Sequence, residues 1–342
     1  MNNYYIVILN WNGWYDTKQC IQSILEKTPS NNYSIILVDN GSSDNEVFEI
    51  ESYCNSKFKC TISENKDYFL SSTIKLPDNF LCQKPQDRIL VIKNNENLGF
   101  AAGNNVALRF LQNINERYAI LLNNDTEVEY GALDEMYKFL LRNEKKNVFA
   151  VIPQIRYYTP SNLIWNCGGS INWLGVRKYD YAFDNIDNVP QHGAKRVDYG
   201  TGCALMINLS KTGILSEKFF LGEEDMEFAF RLKKMRGQIF CVYTAIVYHK
   251  VGASRSKISE EKMGNMVYHY SMRMSNLRDN LSKPVWYLTM VAHYLSTIRI
   301  LKKEALFSIK RINSMWSDIY KNVRTIDKFK REDFIRIANK KY

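Results

Sequence analysis

The sequence predicts an α/β fold in which a mostly parallel β-sheet is flanked by helices and followed by a helical C-terminal extension. Short runs rich in β-branched residues alternate with segments of helical length, and a polar turn rich in Asn and Asp follows each run. Strands that are connected through helices form mostly parallel sheets. The chain has 342 residues, 45% of them hydrophobic, so it is long and apolar enough to bury a large core.

The predicted elements follow one another along the first half of the chain. Strands are predicted at residues 5–9, 34–38, 89–92 and 118–122, and helices at 17–26, 103–113 and 132–142. Residues 51–88 interrupt this alternation, and their length and Leu-Pro-Asp sequence at 76–78 predict an inserted loop. We therefore expect an α/β domain over residues 1–256 and a basic, amphipathic helical extension over residues 257–342.

The cysteines and the N-terminus bear on the cellular compartment. The seven cysteines contain no C-x-x-C pair, so the sequence indicates neither a disulfide framework nor a zinc site. The first residues lead into a predicted strand without a basic segment or a long apolar segment, so we expect no signal peptide. These features favour a cytoplasmic location.

The positive charge is concentrated in the tail. Residues 1–250 contain 27 Lys and Arg against 28 Asp and Glu, whereas residues 251–342 contain 19 against 8. A basic tail is compatible with nucleic acid, anionic lipid or a solvated surface. The apolar segment 284–301 contains His293 and Arg299 and is too short for a comfortable bilayer span. It suits a helix on an anionic membrane surface or a helix packed on the catalytic domain, and both remain open; the basic residues that follow it are Lys302, Lys303, Lys310 and Arg311.

The turns after the strands are where a ligand is expected, because ligands of open α/β sheets bind beyond the carboxyl ends of the strands. The first turn is Asn-Trp-Asn-Gly at 10–13, and the second begins with Asp39. A carboxylate in that position accepts hydrogen bonds from a nucleobase or from ribose hydroxyls. The alternative for Asp39 is a turn residue, and for Asp44 the role of turn or helix cap is preferred.

Two further turns predict phosphate and cation binding. Small residues at 97–105 allow a phosphate or ribose to approach the start of a helix. Asp125 follows the fourth predicted strand and is suited to a hard cation with oxygen ligands, although a lone Asp there is usually a helix cap.

An acidic cluster lies further along the chain. Four carboxylates occur within the segment 223–227, at the start of a predicted helix, and they are Glu223, Glu224, Asp225 and Glu227. Acidic residues suit a helix N-terminus, so part of the cluster is explained structurally. Mutual repulsion nevertheless raises proton affinity, which suits a general base. His249 follows another strand, and a lone histidine is more often structural.

Taken in order, the motifs NWNG, VDNGSSD, NLGFAAGNN, LLNNDTEV, GTGCALMI, FFLGEEDMEFAFRL and HKVGAS resemble the family 2 glycosyltransferases, especially their rhamnosyltransferase-like branch. The resemblance spans roughly residues 4–256. It implies a GT-A type, Rossmann-like fold and a metal-dependent transfer, with inversion, of a sugar from a nucleoside diphosphate.

The resemblance also implies roles for individual residues. It implies that Asp225 is the catalytic base, that Glu224 positions the acceptor or the base, and that Asp125 and His249 bind Mg²⁺ or Mn²⁺. Asn123 replaces the first acid of the fuller metal motif, and Glu227 stands where many relatives have Asp. The implied donor contacts are Asn10, Trp11, Asn12, Asp39, Asn97 and Asn124, and the implied acceptor contacts are Gly202, Cys203 and Trp165, with Trp173 nearby.

The expected substrates follow from the same resemblance. The donor is a nucleotide sugar, with L-rhamnose as the first candidate sugar, and the acceptor is a glycan or a lipid-linked molecule of surface polysaccharide biosynthesis. The enzyme is then expected on the inner face of the cell membrane.

Three alternatives compete with this interpretation. A sugar nucleotidyltransferase would need a Gly-rich, Arg-containing loop after the first strand, which Asn-Trp-Asn-Gly does not provide. A nucleic-acid-binding protein would depend on the charge of the tail alone, so no nucleic-acid partner is expected. A catalytically dead sugar-nucleotide binder is disfavoured by the presence of Asp125, Asp225 and His249.

Overall fold

The computed structural model describes residues 4–30, 32–65, 87–251, 263–303 and 308–342, without the side chains of residues 302 and 303. Within these residues, eleven strands form one mixed sheet whose main path runs β11-β13-β7-β12-β5-β1-β2-β4-β3. The strands β1 (Tyr4–Asn10), β2 (Tyr33–Asp39), β3 (Lys59–Asn65), β4 (Arg88–Asn94) and β5 (Tyr118–Asn123) form its parallel half. The four strands predicted from the sequence all lie in this half.

The other half of the sheet is mostly antiparallel. Its strands are β6 (Thr126–Val128), β7 (Val148–Tyr157), β8 (Ile164–Asn166), β11 (Ala194–Val197), β12 (Ala204–Asn208) and β13 (Gln238–His249). A separate two-stranded hairpin joins β9 (Gly169–Ile171) to β10 (Arg177–Tyr179). The predicted α/β class, with a parallel sheet at its centre, is confirmed.

The helices cover both faces of the sheet. They are α1 (Trp14–Lys27), α2 (Asp44–Lys57), α3 (Phe100–Asn113), α4 (Ala132–Asn143), α5 (Leu209–Thr212), α6 (Glu224–Lys234), α7 (Met263–Asn280), α8 (Lys283–Lys303), α9 (Ile309–Thr325) and α10 (Arg331–Ala338). Successive strand residues point to opposite faces, so Ile6 and Ile8 pack in the core under α1 and α4, while Tyr5 and Val7 pack in the core under α3. The three predicted helices are confirmed as α1, α3 and α4.

The predicted inserted loop at 51–88 is wrong for its first part. Residues 51–57 complete α2, residues 59–65 form β3 at the edge of the sheet, and residue 88 begins β4. Residues 66–86 lie outside the described residues. The error has a physical reason: α2 buries only Ile50 and Cys54 fully, and β3 leaves most of its residues partly exposed, so neither shows a strong apolar pattern.

The C-terminal segment is helical, as predicted, and it shares the core of the sheet. Ile312, Met315 and Ile319 of α9 are fully buried in the same apolar cluster as Val7 of β1 and Leu205 of β12. The predicted boundary at 256/257 falls outside the described residues. Across the part of the chain that the structure describes, no helix is both long enough and apolar enough to span a membrane.

Candidate active site

The carboxyl ends of three neighbouring parallel strands meet at one edge of the sheet. Asn10 at the end of β1 stands opposite Asp39 at the end of β2, and Leu9 stands opposite Asn123 at the end of β5. Because the strands are parallel and in this register, the first, second and fourth turns predicted from the sequence come together.

A cavity of about 600 Å³ opens at this edge, which is within the range of about 300–1,000 Å³ typical of small-molecule sites. Of the residues predicted to bind the donor or its metal, Trp11, Asn97, Asn124 and Asp125 line it. The other lining residues are Leu9, Asn40, Gly99, Phe100, Asn123, Phe220, Leu221, Arg331, Phe334 and Ile335. Trp11 is 52% exposed, so one face of its ring is available to a flat ligand.

A buried hydrogen-bond network, which we call the amide network, lies behind this cavity. The Asn124 side-chain amide donates to the Thr17 hydroxyl (3.0 Å), and that hydroxyl donates to Asn10 Oδ1 (2.7 Å). Asn10 Nδ2 in turn donates to Asp39 Oδ1 at 3.2 Å. Asn10 and Asp39 are fully buried and do not line the cavity. They therefore hold the turns in place, and their predicted contact with the nucleoside stays a prediction.

Asn12 and Asn97 shape the turns that surround the cavity. The backbone amide of Asn12 donates to the Ser42 hydroxyl (2.9 Å), and its side chain accepts from the Ser43 amide (3.0 Å), which ties the first turn to the second. Asn12 itself does not line the cavity. The Asn97 side chain accepts from the Gly99 amide at 2.8 Å, so it sets the third turn while also facing the cavity.

Asp125 and His249 lie side by side. The antiparallel register of β6 and β13 places His249 opposite Thr126, the residue after Asp125. His249 Nε2 and Asp125 Oδ2 are 3.1 Å apart. His249 is therefore not an isolated histidine, because it has a carboxylate partner at the cavity.

The donor atoms of this pair fit a divalent cation. Asp125 Oδ1 and His249 Nδ1 are both buried without a hydrogen-bond partner, and such orphaned polar atoms require an explanation. A carboxylate suits Mg²⁺ or Mn²⁺, and an imidazole is also a metal ligand. The described residues contain no cluster of three or more His, Cys, Asp or Glu that would hold a metal by itself, so further ligands would have to come from the substrate or from water.

The acidic cluster at the start of α6 is divided between separate cationic partners. Glu223 is buried and accepts from Arg273 Nε at 2.5 Å and from the Asn276 side chain at 3.3 Å. Glu227 instead accepts from Arg231 one turn along the same helix, at 3.1 Å. These pairs offset part of the repulsion expected from four close carboxylates.

Asp225 is held by a tyrosine and an arginine that the sequence motifs do not contain. Its carboxylate accepts a short hydrogen bond from the Tyr199 hydroxyl and lies 3.8 Å from the Arg177 guanidinium of β10. Burial raises the pKa of Asp225 above its ordinary value, while Arg177 and the Tyr199 hydrogen bond lower it. These two partners favour the ionised form that a general base requires.

Glu224 has the opposite environment. It is buried, and its Oε2 atom lacks a hydrogen-bond partner. Burial, followed by the charge of Asp225, raises the pKa of Glu224 to about 8. A protonated Glu224 can donate a hydrogen bond, while an ionised Asp225 beside it can accept a proton. This suits the predicted roles of Glu224 as a positioning residue and Asp225 as the base.

The cavity and the acidic cluster are joined through a glycine. Gly99 has a φ of +84°, and a Cβ at this position would stand 2.1 Å from the carbonyl oxygen of Phe220. The backbone amide of Phe100 donates to that carbonyl at 3.1 Å. Glycine is required here both for its conformation and for this approach. The contact fixes the third turn against the segment that leads into Glu223, Glu224 and Asp225.

The predicted acceptor residues have different surroundings. Gly202 packs against the ring of Phe100, and a Cβ would stand 3.0 Å from that ring. Cys203 is buried, and its carbonyl accepts from the Asn123 amide at 2.8 Å, so its thiol offers no surface to an acceptor. Trp165 packs edge-on against His249, with ring centroids 4.5 Å apart. Trp173, in the turn between β9 and β10, is 67% exposed.

Several residues at the site were missed by the sequence analysis. Thr17, Arg177, Tyr199 and Arg331 come from a helix, a hairpin, a loop and the C-terminal segment. Arg177 and Arg331 lie far along the chain from any motif, whereas Thr17 and Tyr199 lie close to one. None lies within the motif residues that carry the predicted chemistry. The position of Tyr199 directly before GTGCALMI was a local signal that the sequence analysis did not use.

The comparisons with known proteins agree with the motifs. Residues 5–69 match the model of glycosyl transferase family 2, which confirms the recognised family; the rhamnosyltransferase-like branch stays a prediction. The low-salt glycan biosynthesis hexosyltransferase Agl10 of Haloferax volcanii is 28% identical over 159 residues, which are 43% of this chain and 47% of that protein. The chain thus spans less than half the length of this relative.

A solved structure supports the fold. The crystal structure of GalNAc-T7 with UDP, GalNAc and Mn²⁺ matches with a TM-score of 0.53 and 14% sequence identity, over 80% of this chain and 50% of that chain. At this identity the likeness concerns the fold alone. The GT-A type α/β fold predicted from the sequence is confirmed.

Proposed function

We propose that this family 2 glycosyltransferase chain is a metal-dependent, inverting hexosyltransferase that moves a sugar from a nucleoside diphosphate to a hydroxyl group of a glycan or lipid-linked acceptor. The observation that carries the proposal is the pairing of Asp125 with His249 at a cavity whose third turn is joined, through Gly99 and Phe220, to the acidic start of α6. The Haloferax volcanii relative is a hexosyltransferase of low-salt glycan biosynthesis, which supports the same activity.

The cavity is assigned to the donor. Its exposed Trp11 ring suits a nucleobase, and the side-chain amides of Asn97 and Asn124 suit ribose and phosphate oxygens. A divalent cation held by Asp125 and His249 would stabilise the negative charge of the departing diphosphate. UDP in the GalNAc-T7 structure supports a nucleoside diphosphate of this kind.

Asp225 is assigned the role of base. A sugar hydroxyl is a weak nucleophile at neutral pH, so a carboxylate must take its proton while the oxygen forms a bond to the anomeric carbon and the bond to the diphosphate breaks. Attack opposite the leaving group inverts the anomeric carbon in one displacement. Glu224, protonated at neutral pH, donates a hydrogen bond and positions the acceptor or the Asp225 carboxylate.

The donor assignment is tested by ligand-induced thermal stabilisation of the full chain. We expect at least one member of a panel of UDP-, dTDP- and GDP-sugars, dTDP-L-rhamnose included, to raise the Tm when Mn²⁺ or Mg²⁺ is present. A ligand at about 100 times its Kd adds about 2.7 kcal/mol. Asp125→Ala should remove this metal-dependent shift, and the absence of any shift in the native chain would contradict the proposal.

The base is tested by Asp225→Asn. We expect donor binding to survive while sugar transfer falls by roughly 10²- to 10⁴-fold, the usual contribution of a general base. Asp279→Asn changes an exposed carboxylate on α7 and is the matched control. Transfer by Asp225→Asn at the rate of the control would exclude Asp225 as the base.

Contact with an anionic membrane is proposed for α8. Leu288, Val291 and Leu295 are each more than half exposed and share one side of the helix, at spacings of three and four residues. Exposed Arg299 follows on the same side, and Lys310 and Arg311 are exposed at the start of α9. An exposed apolar stripe beside basic residues suits a helix lying in the interface of the inner membrane face.

The membrane contact is tested with surface substitutions, because α7, α9 and α10 contribute to the core and truncation would disrupt it. The full chain should cosediment with phosphatidylglycerol vesicles, less so at high salt. The triple variant Leu288→Ser, Val291→Ser, Leu295→Ser should lose this binding with an unchanged Tm. Equal sedimentation of the two proteins, or none with the native chain, would reject the contact.

A further inference from the structure

We infer that Arg331, in the first turn of the C-terminal helix α10, binds the diphosphate of the donor and so makes the C-terminal segment part of the active site. The inference depends on the proposed donor cavity. It begins from the lining of that cavity, to which α10 contributes Arg331, Phe334 and Ile335. These residues lie more than 200 positions along the chain from the strand ends that form the opposite wall.

The position of α10 is fixed by packing. The backbone amide of Phe329 donates to the Lys218 carbonyl at 2.8 Å, and the rings of Phe329 and Phe219 stack at 6.1 Å. Phe334 packs against Phe220 with ring centroids 6.1 Å apart. The helix is therefore attached to residues 218–220, the segment that leads to the acidic start of α6.

The helix α10 also packs against α7. Phe334 also packs against Tyr268 of α7 at 5.1 Å, and a Cβ on Gly264 would stand 2.1 Å from the carbonyl oxygen of Ala338. The Asp333 carboxylate accepts from the Lys330 backbone amide at 3.2 Å and caps the helix. The helix that carries Arg331 is thus held in place beside the cavity by contacts near both of its ends.

The charges around the cavity are sparse and opposed. Among the described residues that line it, Asp125 and Arg331 are the charged ones, and the polar remainder are asparagines. Arg331 is exposed and forms no hydrogen bond or ion pair within the described ranges, whereas its neighbour Arg336 pairs with Asp333 at 2.7 Å. Its guanidinium is available to a ligand.

A diphosphate satisfies this arrangement. A guanidinium binds phosphate oxygens through two parallel hydrogen bonds. Asp125 alone would repel an anionic ligand. The Arg331 guanidinium on the opposite wall offsets that repulsion and also stabilises the charge that the leaving group gains. A diphosphate of a lipid-linked acceptor has the same chemistry, and the test separates the two sources.

The test compares Arg331→Gln with Arg336→Gln, a control on the same helix that does not line the cavity. Affinities for UDP, dTDP, GDP, the corresponding nucleosides and farnesyl diphosphate are measured by calorimetry with the full chain, with Mn²⁺ and again with EDTA. We expect Arg331→Gln to weaken binding of the nucleoside diphosphate that binds by about 10- to 100-fold, the usual effect of losing a charge-assisted hydrogen bond. Nucleoside affinity should not change, and the loss should persist with EDTA.

Three results would overturn the inference. Equal affinity of Arg331→Gln and the native chain for the nucleoside diphosphate that binds would remove Arg331 from the site and leave the proposed function intact. A loss confined to farnesyl diphosphate would reject the donor as the ligand. A native chain that binds none of UDP, dTDP and GDP would contradict the donor cavity itself. Because Arg331 is exposed, all three proteins should have the same Tm.

Discussion

At the ends of β1, β2 and β5 the polar side chains are mainly amides and a hydroxyl, whereas at the start of α6 they are carboxylates and arginines. In the amide network, Asn124, Thr17, Asn10 and Asp39 are connected in series by hydrogen bonds of 2.7–3.2 Å. At α6, Glu223 depends on Arg273, and Asp225 depends on Tyr199 and Arg177. The second group is held by charge, so each member is sensitive to the loss of its partner and to the binding of protons.

This difference separates two tasks. A network made mostly of neutral groups keeps the same hydrogen bonds over a wide pH range, which suits the positioning of a donor. A cluster of buried charges shifts the pKa values of its members, which suits proton transfer. The three predictions below test whether the two groups differ in this way.

The largest effect is expected from Arg273→Met. This change leaves the buried Glu223 carboxylate without its closest cation, and Arg177, at 3.8 Å, is the next nearest partner. Removing one partner of a buried ion pair costs about 3–5 kcal/mol, because the other charge stays buried and unpaired. The loss is measured as the change in the free energy of unfolding in urea. Lys340→Met, which removes an exposed partner of Asp318, should cost about 0–1 kcal/mol. A similar small loss for both variants would show that the α6 cluster is not held by charge.

The second effect is a slope with pH. Because the pKa of Glu224 is raised from 4.5 to about 8 in the folded protein, its contribution to stability is complete below about pH 4.5 and is lost as the pH rises through 8. The slope is at most about 1.4 kcal/mol per pH unit for one proton. The free energy of unfolding of Glu224→Gln should therefore change less with pH than that of the native chain between pH 4.5 and 8. Parallel curves would show that Glu224 is ionised throughout.

The smallest effect is expected in the amide network. Thr17→Val removes the hydroxyl between Asn124 and Asn10 and leaves the buried Asn10 Oδ1 without that donor. We expect a loss of about 1–3 kcal/mol in the free energy of unfolding, with no change in its pH dependence. Thr325→Val changes an exposed hydroxyl bonded within α9 and should lie within about 0.5 kcal/mol of the native chain. A pH-dependent loss in Thr17→Val would contradict the distinction between the two groups.

The elements with a strong apolar pattern were predictable from the sequence. The strand predicted at 118–122 is Tyr118–Asn123, a short apolar run that is buried on both faces. The helix predicted at 132–142 is Ala132–Asn143, whose buried residues repeat at helical spacing. The edge strand at 59–65 was not predictable, since little of it is buried. The site was predictable only where its residues belong to contiguous motifs, as Asp125 and Asp225 do.

The remaining site residues depend on packing between distant segments. Whether Asp39 faces a ligand or the interior depends on the orientation of Asn10 and Thr17, which residue order does not fix. The contact of Arg331 with the cavity requires the chain to return from α9 and pair Phe329 with Phe219. The apolar residues of the tail are compatible with a helix on a membrane surface and with a helix packed on the domain. Only the three-dimensional packing shows which of them lie in the core and which are exposed on α8.

Glycine has no side chain, and at position 99 this sets one dimension of the candidate active site. Because the Phe220 carbonyl occupies the space that a Cβ would fill, the separation between the donor turn and the loop bearing the proposed base is decided by a residue without any reactive group. Even an alanine at 99 would wedge these two walls apart. The spacing between the cavity wall and the segment that leads to Asp225 is therefore set by one backbone packed against another, and the side chains around the cavity do not determine it.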